Sequence, residues 1–75
     1  MTTTFPSSIL KAVPYLTGFP DQRFWVDYDV EADVLYISFK KPQKATDTVT
    51  TEDGLLLRYR KNQLVGVTVL DASTR

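Results

Sequence analysis

Four carboxylates alternate along one short stretch, Asp27, Asp29, Glu31 and Asp33. Acidic side chains at every second position begin a calcium loop, and two carboxyls at a suitable separation can divide acid and base roles. The calcium pattern breaks at Ala32, where such a loop requires glycine, and at Ser38, where it requires a bidentate glutamate. Turn chemistry explains the run better. Asp29 is placed to accept hydrogen bonds from backbone N–H groups two or three residues further on, and Asp33 reads as a second turn former. The expectation is therefore no metal, no cofactor and no catalytic residue.

A second set of residues is basic and aromatic. Arg58, Arg60 and Lys61, with Lys40, Lys41 and Lys44, supply most of the positive charge, and Trp25 and Tyr36 join Arg58 and Arg60 on one face if the strand registers agree. Aromatic side chains among basic ones on a sheet hold single-stranded nucleic acid in several small β folds. Nine basic residues are matched by nine acidic ones, giving no net charge, and the pI is near 6.1. Nucleic acid is thus not the expected partner, since its binders carry an excess of Lys and Arg. Cross-strand pairs among Asp27, Asp47 and Arg58 would instead solvate that face. Trp25 also fits a protein partner, because tryptophan is enriched at the centres of interfaces.

The missing residue types exclude more. The 75 residues contain no Cys and no His, which removes disulfides, zinc fingers, thiol nucleophiles and imidazole bases. The expectation is a protein that is not an enzyme. At this length the chain forms one domain, and its 43% hydrophobic and 24% charged residues are ordinary globular values.

The elements that position these residues divide near residue 22. Residues 1–22 form an arm carrying Pro6, Pro14 and Pro20 after a Met1–Thr4 low-complexity patch. Ser7 or Ser8 can cap a short helix with Ile9, Leu10 and Val13 on its apolar side, and Pro14 is expected to stop it. One or two turns of helix do not stand alone in water, so Ile9, Leu10, Val13, Leu16 and Phe19 should dock on the remainder. Gly18–Asp21 reads as a turn. Seven of the nine aromatics lie between Tyr15 and Phe39, which predicts one aromatic cluster where the arm crosses the first strands.

Residues 23–75 have the period of two that marks strands. Phe24, Val26 and Tyr28 share one face, as do Leu35, Ile37 and Phe39, and as do Leu55, Leu57 and Tyr59. Asp53-Gly54 signals a hairpin with a type I′ turn, and Lys61-Asn62-Gln63 signals another turn, in which Asn62 best tolerates the left-handed conformation. Thr46–Thr51 is a weaker polar strand, and Leu64–Leu70 closes the series. The predicted fold is mainly β: an antiparallel four- to five-stranded meander, as an open sheet or small barrel, with a short N-terminal helical segment. In a meander the last strand is an edge. Val65, Val67 and Val69 then lie on an uncharged edge strand that invites pairing with another chain, unless the strand closes a barrel or the arm covers it.

Three segments carry a family resemblance. Tyr28–Ile37, Asp53–Leu57 and Leu64–Ser73 resemble a small bacterial family catalogued as domain of unknown function 2283, over Tyr28 to Ser73. The resemblance implies an antiparallel β-domain without assigned activity, and an antitoxin role beside a small toxin for some members. The proline-interrupted arm departs from the family pattern, as do Arg58 and Arg60, where acidic residues are more usual. The family supplies no catalytic residues to carry over.

These observations favour a non-enzymatic interaction module that associates with itself, a homodimer, or with a protein partner. Its candidate surface comprises Trp25, Tyr36, Arg58, Arg60, Val65, Val67 and Val69. The alternatives are an antitoxin-like partner of a small toxin and a binder of single-stranded nucleic acid or a small ligand. No stretch has the charge and length of a signal peptide or the roughly 20 apolar residues of a membrane span, so a cytoplasmic location is expected.

Overall fold

The alternation that begins at Phe24 becomes an antiparallel sheet in the computed structural model, which describes residues 5–75, with side chains from Ser7 onward. The Met1–Thr4 patch lies outside the described residues. Helix α1 (Phe5–Thr17) precedes five strands, β1 (Trp25–Asp29), β2 (Val34–Ser38), β3 (Asp47–Thr50), β4 (Leu55–Arg60) and β5 (Gln63–Leu70), and a 3₁₀ turn spans Ala72–Thr74. The architecture is mainly β, with one short N-terminal helix and an open five-stranded sheet, as the sequence predicts. Among the described residues no helix is long and apolar enough to cross a membrane.

The strand order is β1-β2-β5-β4-β3, which differs from a simple meander. The last strand is not an edge: β5 pairs with β2 from Val34↔Leu70 to Ser38↔Gly66 and with β4 from Leu55↔Val69 to Arg60↔Gln63. Self-association by adding a strand to β5 is therefore closed off, and the open edges are β1 and β3. An uncharged strand of branched residues belongs in the middle of a sheet, where both rows of its backbone groups are paired. This fourth resolution of the edge problem was not among the three weighed above.

The two hairpin turns exchange roles relative to expectation. Lys61 (φ 51°) and Asn62 (φ 66°) both adopt positive φ, the requirement of a two-residue type I′ turn joining β4 to β5. At Asp53-Gly54 only Gly54 has positive φ, at 90°. There the Gly54 N–H donates to the Thr51 carbonyl (3.3 Å) and the Thr51 N–H to the Leu55 carbonyl (2.8 Å). The loop thus has three residues with glycine at its left-handed position. A register shift opposite Arg58/Tyr59 makes Val65 the extra residue of a bulge.

Because β5 lies between β2 and β4, the chain from Phe39 to Thr46 must cross it to reach β3. It does so over Gly66. Gln43 donates to the Ser38 hydroxyl (3.0 Å), and a Cβ on Gly66 would collide with the Gln43 amide and lie 3.1 Å from the Ile37 carbonyl. Glycine at this strand position permits the close approach of the crossing loop.

Helix α1 runs through Pro14 to Thr17, four residues past the expected stop. Proline removes the bond to the Leu10 carbonyl, but Leu10 is 72% exposed, so the defect lies on the solvent side. The Thr17 hydroxyl donates to the Pro14 carbonyl (3.0 Å), and the Gly18 and Phe19 N–H groups donate to Tyr15 and Leu16 (3.2 Å each), tightening the last turn. The expected docking fails along most of the helix: α1 forms no packed interface with a strand, and Ile9, Leu10 and Val13 are exposed. Phe19 does dock, edge-on to Phe24 (4.9 Å between centroids) and Phe39 (5.4 Å). The aromatic cluster is these three phenylalanines. Tyr15, Tyr28 and Tyr36 are exposed.

The core is correspondingly small. Phe39 and Val65, 4% and 1% exposed, are its buried apolar residues, joined by the Phe39 N–H donating to the Val65 carbonyl (2.9 Å).

Candidate functional site

The registers determine what each sheet face carries. Successive side chains alternate across a strand, and paired residues share a face. One row runs Val26, Ile37, Val67, Leu57, Val49 across all five strands, and the next runs Tyr28, Leu35, Val69, Leu55. This face is apolar, with Tyr59 and Leu64 continuing it beyond the bulge. Phe19 lies against Phe24 and Phe39 at one end of these rows, and among the described residues no helix makes an extensive contact across the rest. Its flanks Val26, Tyr28 and Val49 remain about half exposed, at 50%, 46% and 51%.

The opposite face is polar. Its rows are Trp25, Ser38, Gly66, Arg58, Thr48 and Asp27, Tyr36, Thr68, Leu56, Thr50. The Lys41 ammonium lies 5.8 Å from the centroid of the Trp25 ring, within cation–π range. Arg58 Nε is buried without an acceptor. The anticipated Asp27, Asp47 and Arg58 pairing is absent from the described residues, whose ion pair is Lys40 with Asp21 (3.2 Å). Asp47 pairs with Tyr59 and so belongs to the other face.

The sequence-predicted surface is thus split. Trp25, Tyr36 and Arg58 come together on the polar face, with Arg60 exposed at its margin. Val67 and Val69 lie on the apolar face, and Val65 is buried. Sequence reasoning missed the working unit of the apolar face, which is formed by Val26, Leu35, Ile37, Val49, Leu55 and Leu57 with the two valines. The alternation that marks it was legible. The absence of anything above it was not.

The acidic run works as turn chemistry. Asp29 Oδ1 accepts from the N–H groups of Glu31 and Ala32, at 3.1 Å each, as the spacing predicts. Asp33, at φ 55°, reaches much further along the chain. Its carboxylate accepts from the Tyr28 hydroxyl (2.6 Å), the Ser73 N–H (2.9 Å) and the Ser73 hydroxyl (2.8 Å), and its carbonyl accepts from the Ala72 N–H (3.0 Å). These donors hold the Asp33 carboxyl below its usual range, Tyr28 foremost and then Ser73. The same bond to Asp33 raises the Tyr28 phenol above its ordinary value. On the other side of the sheet end, Arg75 Nη1 donates to the Asp53 carbonyl and its Nε to Leu70 (3.0 Å). The Asp53 carboxyl is lowered, chiefly by the Thr51 hydroxyl. Among the described residues no group of three or more acidic side chains converges to hold a metal.

The Asp33 clamp joins the two ends of a matched segment: residues 25–73 match the family described as protein of unknown function DUF2283. The chain belongs to the DUF2283 family. No curated protein and no solved structure matches it. The DUF2283 match begins at the first residue of β1 and ends at Ser73, so it takes in every strand and the whole Asp33 clamp. It leaves α1 and Phe19 outside. Within the DUF2283 match, Tyr28, Asp29, Asp33 and Ser73 do structural work: they make the β1–β2 turn and fasten the C-terminal end to it.

Proposed function

We propose that this DUF2283 domain is a non-enzymatic interaction module whose working surface is the apolar face of its sheet. The observation that carries this reading is the five-stranded row Val26–Ile37–Val67–Leu57–Val49, open in the folded chain. A sheet that is apolar on one side needs a second layer, and the described residues supply none across these rows. An apolar patch crossing a whole sheet marks an interaction surface on a small protein. The non-enzymatic part rests on the side chains present: there is no Cys or His, and Asp29 and Asp33 are occupied in turns. A small toxin seated on this face would be the antitoxin-like form of the same reading. Selective methyl labelling tests it. The methyl groups of Ile37, Leu57 and Val67 should show no nuclear Overhauser contact with Ile9 or Val13 of their own chain. Such contacts in a monomer would mean that α1 folds back as the second layer, and the reading would fall.

A second reading is favoured by Trp25, Tyr36 and Arg58 sharing the polar face. These are the groups that stack on and neutralise a single strand of nucleic acid. Asp27, on the same face, opposes it. A salt-dependent change in Trp25 fluorescence on adding an oligonucleotide is the expected signature, and no change at low salt removes this alternative.

A further inference from the structure

Taking the apolar face as the working surface, we infer that its occupant is a second copy of this chain, stacked face to face to make a two-layer sandwich. The argument begins with area. A folded monomer of 8.5 kDa is expected to expose about 4,700 Å². This chain exposes 5960 Å². The excess, about 1,300 Å², exceeds the roughly 800 Å² that each partner gives to an interface of standard size.

The face also fits itself. The row Val26–Ile37–Val67–Leu57–Val49 contains no charge, so a two-fold axis lying between two stacked sheets and parallel to them brings apolar side chains onto apolar side chains. A chain with no net charge meets its copy without overall repulsion. The competing routes are weaker. Strand β5 is paired on both sides, and the open edges carry Asp27 and Asp29 on β1 and Asp47 on the four-residue β3, charges of the kind that discourage edge pairing. Cover by the chain's own helix is opposed by its exposure: Ile9, Leu10 and Val13 of α1 are exposed, and α1 makes no extensive contact with a strand.

Light scattering after size exclusion should give twice 8.5 kDa for the full chain at high micromolar concentration. The double substitution Val26→Glu/Val49→Glu, at half-exposed flanks, should weaken dimerisation by about a hundredfold. Tyr36→Glu, on the opposite face, should leave the dimer intact and is the control for a general loss of fold. In a mixed sample, isotope-filtered contacts between Ile37 and Val67 methyl groups of different chains should appear, and they test the same face without any variant. A dimer indifferent to Val26→Glu/Val49→Glu, or one broken by Tyr36→Glu while still folded, overturns the inference. A monomer that binds an apolar dye at neutral pH also overturns it but keeps the interaction reading, because the face is then open to a different protein. A monomer whose α1 contacts Ile37 and Val67 overturns both.

Discussion

At Asp33 a single carboxylate accepts from the Tyr28 hydroxyl and from both the hydroxyl and the N–H of Ser73, and this gives the fold a pH dependence at both ends of the scale. A carboxyl lowered on folding contributes stability that is fully present above its unfolded value of about 3.9, and that is lost as pH falls through the lower folded value. The Tyr28 phenol, raised by the same bond, contributes stability present below its unfolded value of about 10 and lost as pH rises through the folded one. The protection factor of the Ser73 amide, its exchange rate relative to the unfolded rate at the same pH, should therefore fall several-fold in acid and again in strong base. Asp33→Asn, which keeps the tolerance for positive φ but removes the charge, should flatten the acid limb and diminish the basic one, since the Tyr28 phenol is raised by the same carboxylate. An unchanged acid limb in that variant would show that Asp33 does not hold the C-terminal turn. The i, i+2 spacing made Asp29 legible as a turn former because its partners are two and three residues away. The role of Asp33 toward Ser73 was hidden, since no local pattern registers a partner 40 positions along the chain.

Element by element, strand identity was legible and strand neighbours were not. Side-chain alternation is a local property of each segment, so all five strands stand out. Their order depends on which edges meet, and the sequence signal of β5, branched residues without charge, was read as a hazardous edge when it marks a central strand. The same split holds for the candidate surface: periodicity assigned residues to faces within each strand, while joining Val26 to Val49 across the sheet needed the registers. Pro14 shows the opposite error, a local rule applied too strictly, since an exposed helix tolerates the lost bond at Leu10. The crossing at Gly66 gives a prediction at this scale. Gly66→Val would drive a side chain into Gln43 and crowd the Ile37 carbonyl, costing about 1–3 kcal/mol as overpacking does. Chemical denaturation should show the loss, and the Gln43 side-chain amide should lose protection. A variant as stable as the parent would mean that the crossover is free to lift away from the sheet.

For the whole molecule, the order β1-β2-β5-β4-β3 divides the sheet into two local units. The β1–β2 hairpin stands on one side, and β3, β4 and β5 form a meander on the other, with β5 pairing across the division to β2. A chain ending at Lys61 keeps the first hairpin and the β3–β4 pair but loses every backbone bond between them. Isolated two-stranded hairpins are marginal in water. Such a truncation should show no cooperative unfolding transition by circular dichroism, and a cooperative one would contradict the central role of β5. The placement of β5 also bears on the order of events in synthesis. The strand that unites the sheet is the last of the five to be synthesised, so the four before it emerge with nothing to bridge them. Completion of the sheet therefore waits for β5: until residues 63–70 have emerged, the first hairpin and the β3–β4 pair hold their apolar rows with no strand between them.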